Sequence, residues 1–251
     1  MYINDIHIIA YLVVGLVGLV IGQFIDWCNK RLPDDKKVFS KEIVSQYFKS
    51  FKPNYLLMII NSVMYIGLLY NFGFSIDLAK YLLLVPMLLS AFCIDLKLQI
   101  IPNRLNLAIF ETGLFFTFLS VIADTSIGIN NFIDSLLGML VGGGIFLLIT
   151  LIGGAIAGKE AMGFGDVKLM GALGLFVGWV NIIIVSVLAF LFAAVISIGI
   201  LIFRKKGFNE YIPFGPFIVA STLIVIFTPP GLLLTVVLKI FTLGMYQGQI
   251  T

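Results

Sequence analysis

Asp166 closes the run Gly163-Phe164-Gly165-Asp166 between two long apolar stretches, where a hydrocarbon environment opposes a carboxylate. A second acid, Asp95, ends another apolar stretch. Two carboxylates brought within hydrogen-bond range cannot both ionise comfortably, so the pair holds one proton near neutrality. The ionised member can take a proton from a water attacking a peptide carbonyl, while the protonated member supports the oxyanion and then the leaving amine. Gly163 and Gly165 leave room for an extended substrate backbone beside the acid. The same four residues also read as a tight helix contact with Asp166 capping a helix through its orphan amides, and by themselves they favour neither reading.

The elements that must position these acids are membrane helices. Of the 251 residues 60% are hydrophobic, and the mean hydropathy is +1.10, well above the composition of soluble domains, which are about 45–50% apolar. The expected fold class is all-α, a polytopic membrane protein. Charged residues make up 12% of the chain, and the net charge of +3 comes from Lys and Arg in short connecting segments, so a nucleic-acid-binding face is excluded. The segment before His7 carries Asp5 and no Lys or Arg, which argues against a cleavable signal peptide and predicts that the first apolar segment stays as a helix. Cys28 and Cys93 are too few for a disulfide framework.

A hydrocarbon core of roughly 30 Å needs about 17–25 apolar residues per helix. About eight spans are expected, over 8–27, 54–71, 78–96, 103–123, 132–157, 164–180, 181–203 and 212–244. Pro229-Pro230-Gly231 predicts that the last is broken or ends in a re-entrant piece. Basic residues are retained on the cytoplasmic side. With the basic segment 29–54 inside, all but Lys80 and Lys239 of the 16 Lys and Arg face the cytoplasm. The expectation is therefore an N-out, C-out chain, a single membrane domain over 1–251, with Asp95 and Asp166 at the cytoplasmic face.

Three ordered segments carry a resemblance. Asp95-Leu96-Lys97-Leu98-Gln99-Ile100-Ile101-Pro102-Asn103-Arg104-Leu105-Asn106 and Gly158-Lys159-Glu160-Ala161-Met162-Gly163-Phe164-Gly165-Asp166-Val167-Lys168-Leu169 closely resemble the two active-site motifs of type IV prepilin peptidases. These are membrane aspartyl proteases of the Gly-x-Gly-Asp class. Ile212-Pro213-Phe214-Gly215-Pro216-Phe217 is similar to that family's motif at the start of its last helix. The resemblance implies Asp95 and Asp166 as the catalytic pair. It implies Gly163, Gly165, Lys168, Pro102, Asn103, Pro213, Gly215 and Pro216 as supporting or substrate-binding positions. Relatives often carry an acid where this chain has Asn103, which leaves Asp95 as the one carboxylate of its motif. The implied reaction is removal of the basic leader from type IV prepilin or pseudopilin precursors, at the cytoplasmic face of a bacterial inner or cytoplasmic membrane.

The resemblance departs in the first loop. Many relatives carry paired Cys-x-x-Cys motifs there, able to hold a structural zinc, and also methylate the new N-terminus with S-adenosylmethionine. The short basic segment 29–54 has no such tetrad, so no zinc or other metal is expected. Proteolysis needs no cofactor, and S-adenosylmethionine enters only if methylation is retained. The first helix ends Gly22-Gln23-Phe24-Ile25-Asp26-Trp27-Cys28-Asn29-Lys30-Arg31-Leu32-Pro33, similar to a family segment in which Ser and Asn stand where this chain has Gln23 and Asp26. Asp26 is expected to pair with Lys30, four residues on, ahead of a substrate or cofactor contact. Glu111 is expected buried in the fourth helix in an interhelical hydrogen bond, and Asp134 solvated at a helix end. Lys168 should point away from the acid and meet lipid phosphate or substrate. The glycines at 142–144, 153–154 and 171–174 suit close packing or lateral substrate access.

Two other functions fit an apolar chain with acids. A proton-coupled transporter would place acids near the midplane of an inverted repeat. Here both sit at one face, and no repeat is evident. A non-catalytic pilus or secretion assembly factor would have no need to keep both acids.

Overall fold

The computed structural model describes residues 2–4, 6–34, 36, 38, 53–123, 125–157, 162–203, 212–229 and 231–241. Among these, two short strands precede eight helices: β1 Tyr2–Ile3, β2 Ile6–His7, α1 Ile8–Arg31, α2 Tyr55–Phe72, α3 Ile76–Leu98, α4 Asn103–Ala123, α5 Thr125–Ala157, α6 Phe164–Phe203, α7 Gly215–Phe227 and α8 Leu232–Phe241. Six of them, α1 to α6, are long and apolar enough to cross a membrane. The chain is an all-α, multi-pass membrane protein. It divides into two compact units, Met1–Phe116 and Thr117–Thr251.

In the first unit, α1 lies on α2 through a glycine stripe. A methyl group on Gly18 would come within 2.7 Å of Ser62 Cα, and one on Gly22 within 2.6 Å of Met58 Cα. The approach lets two side chains of α2 reach carbonyls of α1: Asn61 Nδ2 donates to Gly18 O at 2.8 Å and Ser62 Oγ to Gly15 O at 2.8 Å. Interhelical hydrogen bonds in membranes average only about 0.6 kcal/mol, so close van der Waals packing is the larger part of this contact. Tyr65 Oη donates to Leu82 O at 2.6 Å and ties α2 to α3. The β1–β2 hairpin, registered Tyr2 to His7 and Ile3 to Ile6, closes the other end. Its Ile3 carbonyl accepts from Tyr11 Oη at 3.2 Å, and Asn4 Nδ2 donates to Tyr70 O at 3.2 Å.

The second unit is built on α5 and α6. The 40-residue α6 carries one non-helical residue, Gly178 (φ 79°, ψ 175°), a conformation open essentially to glycine alone. The chain doubles back there. A methyl group on Gly142 of α5 would come within 2.6 Å of Met170 O and also within 2.7 Å of Ile182 Cγ1. Those residues would stand about 18 Å apart along a straight helix. Going up α5, its neighbours run down the first half of α6, from Gly174 beside Gly138 to Met170 beside Gly142. They run up the second half, from Ile182 beside Gly142 to Phe190 stacked on Phe146. The two halves of α6 are thus antiparallel and both rest on α5.

The sequence predicted separate segments over 164–180 and 181–203. The reversal instead falls at Gly178, because only glycine tolerates that backbone. The apolar run of α5 was expected to begin at 132, but the helix starts at Thr125. Gly128 there lies flush against the Ser120 carbonyl and Val121 Cα, so a polar turn is held helical by packing. The predicted break in the last span is present: α7 stops at Phe227 and α8 starts at Leu232, after Gly231 at φ 83°.

Candidate active site

Asp95 occupies the last turn of α3 and is 4% exposed. The helix ends immediately afterwards, with Gln99 in the left-handed conformation (φ 55°) donating its N–H to Asp95 O at 2.9 Å. The buried Pro102 then opens α4, its carbonyl accepting from Leu105 N at 3.0 Å and Asn106 N at 3.2 Å. Proline suits a helix start because the missing N–H would have no partner there. Asn103, the first residue of α4, is exposed. The position that holds an acid in many relatives therefore serves here as the start of a helix.

Asp166 occupies the first turn of α6 in the second unit and is 6% exposed. Its N–H donates to Gly163 O at 3.1 Å, and its Oδ2 lies 3.7 Å from where a methyl group on Gly163 would stand. That is ordinary contact, so Gly163 is not required by the fold. Gly163→Ala should keep the melting temperature within about 2 °C, while peptide KM rises several-fold if substrate backbone passes over this residue. An unchanged KM would remove Gly163 from the substrate path.

Lys168 is exposed, as is Phe164 four residues before it, so both lie on the face of the turn away from buried Asp166. The third motif meets this same end of the second unit. Met170 lies against Gly142, so one turn earlier Asp166 is level with Phe146. The Phe146 ring is 5.8 Å from that of Phe214 and 5.6 Å from that of Phe190, and Phe214 lies 5.1 Å from Phe190. Pro213 is half-buried and Gly215 and Pro216 are buried as α7 begins. The Phe side chains around this motif pack on one another.

Asp26 is claimed by structure. It pairs with Lys30 at 2.5 Å and accepts from Asn54 Nδ2 at 3.2 Å. Its neighbours on α1 do likewise: Gln23 Oε1 accepts from Asn54 N at 2.8 Å, and Asn29 Oδ1 accepts from Ser90 Oγ at 2.5 Å. These ties fasten α1 to the start of α2 and to the part of α3 just before Asp95. Polar residues at three-residue spacing in an apolar helix, Gln23, Asp26 and Asn29, were the readable signal for such a seam. From the sequence alone only the Lys30 pair is expected.

Glu111 departs from expectation. It is exposed, in line with exposed Leu107, Phe115, Phe118 and Ile122 along one stripe of α4, so burial does not hold it. Counting spans from hydropathy cannot tell which stripe of a uniformly apolar helix turns inward. Glu111→Gln is expected to leave peptide cleavage within about twofold of wild type; a larger loss would give this carboxyl a role in the reaction.

The segments bearing Asp95 and Asp166 are also what other proteins share with this chain. The pattern of the type IV leader peptidase family matches residues 82–198, a stretch that contains both Asp95 and Asp166. Leader peptidase HopD of Escherichia coli is 30% identical over 132 residues, which cover 81% of that protein and 52% of this chain. The chain belongs to the type IV leader peptidase family. Further relatives are the prepilin leader peptidase/N-methyltransferases of Legionella pneumophila, 31% identical over 158 residues, and Aeromonas hydrophila, 34% identical over 137. Those matches take in 63% and 55% of this chain but 53% and 45% of the relatives, so the chain spans about half the length of these family members. No solved structure matches this family member significantly.

The methylating relatives raise S-adenosylmethionine. A nucleoside cofactor with an amino-acid tail needs carboxylate and amide groups open to it. At the polar end of α1 the oxygens of Gln23, Asp26 and Asn29 are taken up by Asn54, Lys30 and Ser90. Residues 39–52, the rest of the segment that carries Cys motifs in many relatives, lie outside the described residues.

Proposed function

We propose that this protein is an intramembrane aspartic endopeptidase that removes the leader peptide from type IV prepilin-like precursors at the cytoplasmic membrane face. The observation that carries the reading is the pair of buried carboxylates, Asp95 and Asp166, each at a helix end within the family's matched segment. The names of the relatives support the substrate class.

The two acids have unlike helix poles. Asp166 sits in the first turn of α6, where the macrodipole favours negative charge, and Asp95 in the last turn of α3, where it does not. In this reading Asp166 takes the proton of the attacking water and Asp95 supplies the proton that supports the tetrahedral oxygen and the leaving amine. Carboxylates and water suffice, with no cofactor. The distribution of Lys and Arg supports the N-out, C-out orientation and the inward-facing site, and the family resemblance supports a bacterial inner or cytoplasmic membrane.

The test is reconstitution of the purified protein with a prepilin-like peptide carrying a basic leader before its hydrophobic run. Cleavage at the leader boundary supports the reading, and an intact peptide after reconstitution overturns it. Methylation is carried only by the relatives' names. Labelled S-adenosylmethionine added to the same reaction assays it, and label on the mature N-terminus would bring that activity to this chain.

A further inference from the structure

Asp134 was expected at a solvated helix end. It instead lies within α5, partly buried, and reaches the reversal of α6. Its Oδ1 accepts a hydrogen bond from Trp179 N at 3.4 Å, the first amide after the reversal. A methyl group on Gly178 would run into the Asp134 carboxylate. The second half of α6 starts without a connecting loop, so its first amides have no carbonyl of a preceding turn to bond. A carboxylate at a helix N-terminus gives such an amide a partner and meets the positive pole of the dipole. One side chain from a neighbouring helix thus supplies the cap that a loop residue would ordinarily provide.

The first half of α6 spans only Phe164 to Val177 and bears Asp166 at its free end. A hinge of one residue has little stiffness of its own, because glycine has no Cβ to restrict it. The angle between the halves must come from what grips the turn. Gly138, Gly142 and Gly174 let both halves lie flush on α5, and Asp134 pins the turn from the same helix. We propose that Asp134 is a positioning residue: it latches the Gly178 reversal and so fixes the angle at which the Asp166-bearing half of α6 is held. Its consequence for catalysis rests on the peptidase reading; the latch itself does not.

The experiment measures the angle directly. In the full chain with Cys28→Ser and Cys93→Ser, spin labels replace Phe164 and Leu191, exposed residues 14 before and 13 after Gly178 at the open end of the hairpin. Wild type and Asp134→Asn, which keeps an acceptor oxygen, should give one narrow distance distribution. Asp134→Ala should broaden it or move it to longer distance, with the melting temperature lower by about 2–6 °C. Gly178→Ala should cost less melting temperature in the Asp134→Ala background than alone, because the colliding carboxylate is gone. A narrow, unmoved distribution in Asp134→Ala overturns the latch, even if stability falls, since a cap that only stabilises would leave the angle alone. The same proteins without labels are assayed on a prepilin-like peptide. Asp134→Ala should lose about tenfold in kcat with KM within about twofold, and Asp134→Asn should recover most of it. A spread distribution with unchanged kcat overturns the positioning role. A wild type that cleaves nothing overturns the proposed function, while the label distances still decide the latch.

Discussion

Asp166→Asn and Asp95→Asn are each expected to lower hydrolysis of a prepilin-like peptide by about 10²- to 10⁴-fold, the range in which positioned acid–base groups contribute. Asparagine matches the shape of aspartate but can neither take a proton from water nor release one to a leaving amine. Both acids are almost wholly buried, at 4% and 6% exposure, so neither can be replaced by a solvent carboxylate. The variants should remain folded. Asparagine keeps the size of the side chain and an acceptor oxygen at each site, so melting temperatures should stay close to wild type. Lost cleavage with retained stability is the signature sought. Normal cleavage by either variant would end the assignment of the pair.

The second large effect concerns folding. A methyl group on Gly174 would be driven into the carbonyl of Gly138, backbone against backbone, where no side chain can swing aside. Overpacking of a well-packed core costs about 1–3 kcal/mol, and this rigid contact belongs at the upper end or beyond. Gly174→Ala should therefore lower the melting temperature by about 6 °C or more, at roughly 2–4 °C per kcal/mol for a chain of this size. Gly144 is the matched control, since a methyl group there would meet nothing within 4 Å. Gly144→Ala should be neutral or stabilising, because alanine favours the helix by about 1 kcal/mol. Equal effects at the two positions would refute the packed register of α5 on α6.

The two glycines look alike in the sequence, both inside apolar runs rich in glycine. The notion of close packing was right for Gly142, Gly171 and Gly174, but nothing in the pattern separated them from Gly144. Which glycine matters depends on register between helices, a property of two surfaces. The same holds for acids away from the motifs. Asp26 and Lys30 are four residues apart on one helix, and their pairing is local enough to read directly. Glu111 and Asp134 are not legible in this way, because their surroundings come from helix rotation and from another helix.

The sequence by itself determined the all-α membrane class, most of the helices to within a few residues, the break before α8 and the two acids with their motifs. Those follow from the length of apolar runs, from Pro and Gly, and from short contiguous patterns, all of which lie along the chain. Tertiary structure alone decided that the reversal of α6 falls at Gly178 with no connecting loop, that Asp134 holds the turn, and that the Phe214 motif joins the end bearing Asp166. In a chain this uniformly apolar, hydropathy gives each helix a place in the membrane but no preferred face. The faces are chosen by close contacts between glycine surfaces and by the few polar groups that must find partners away from water.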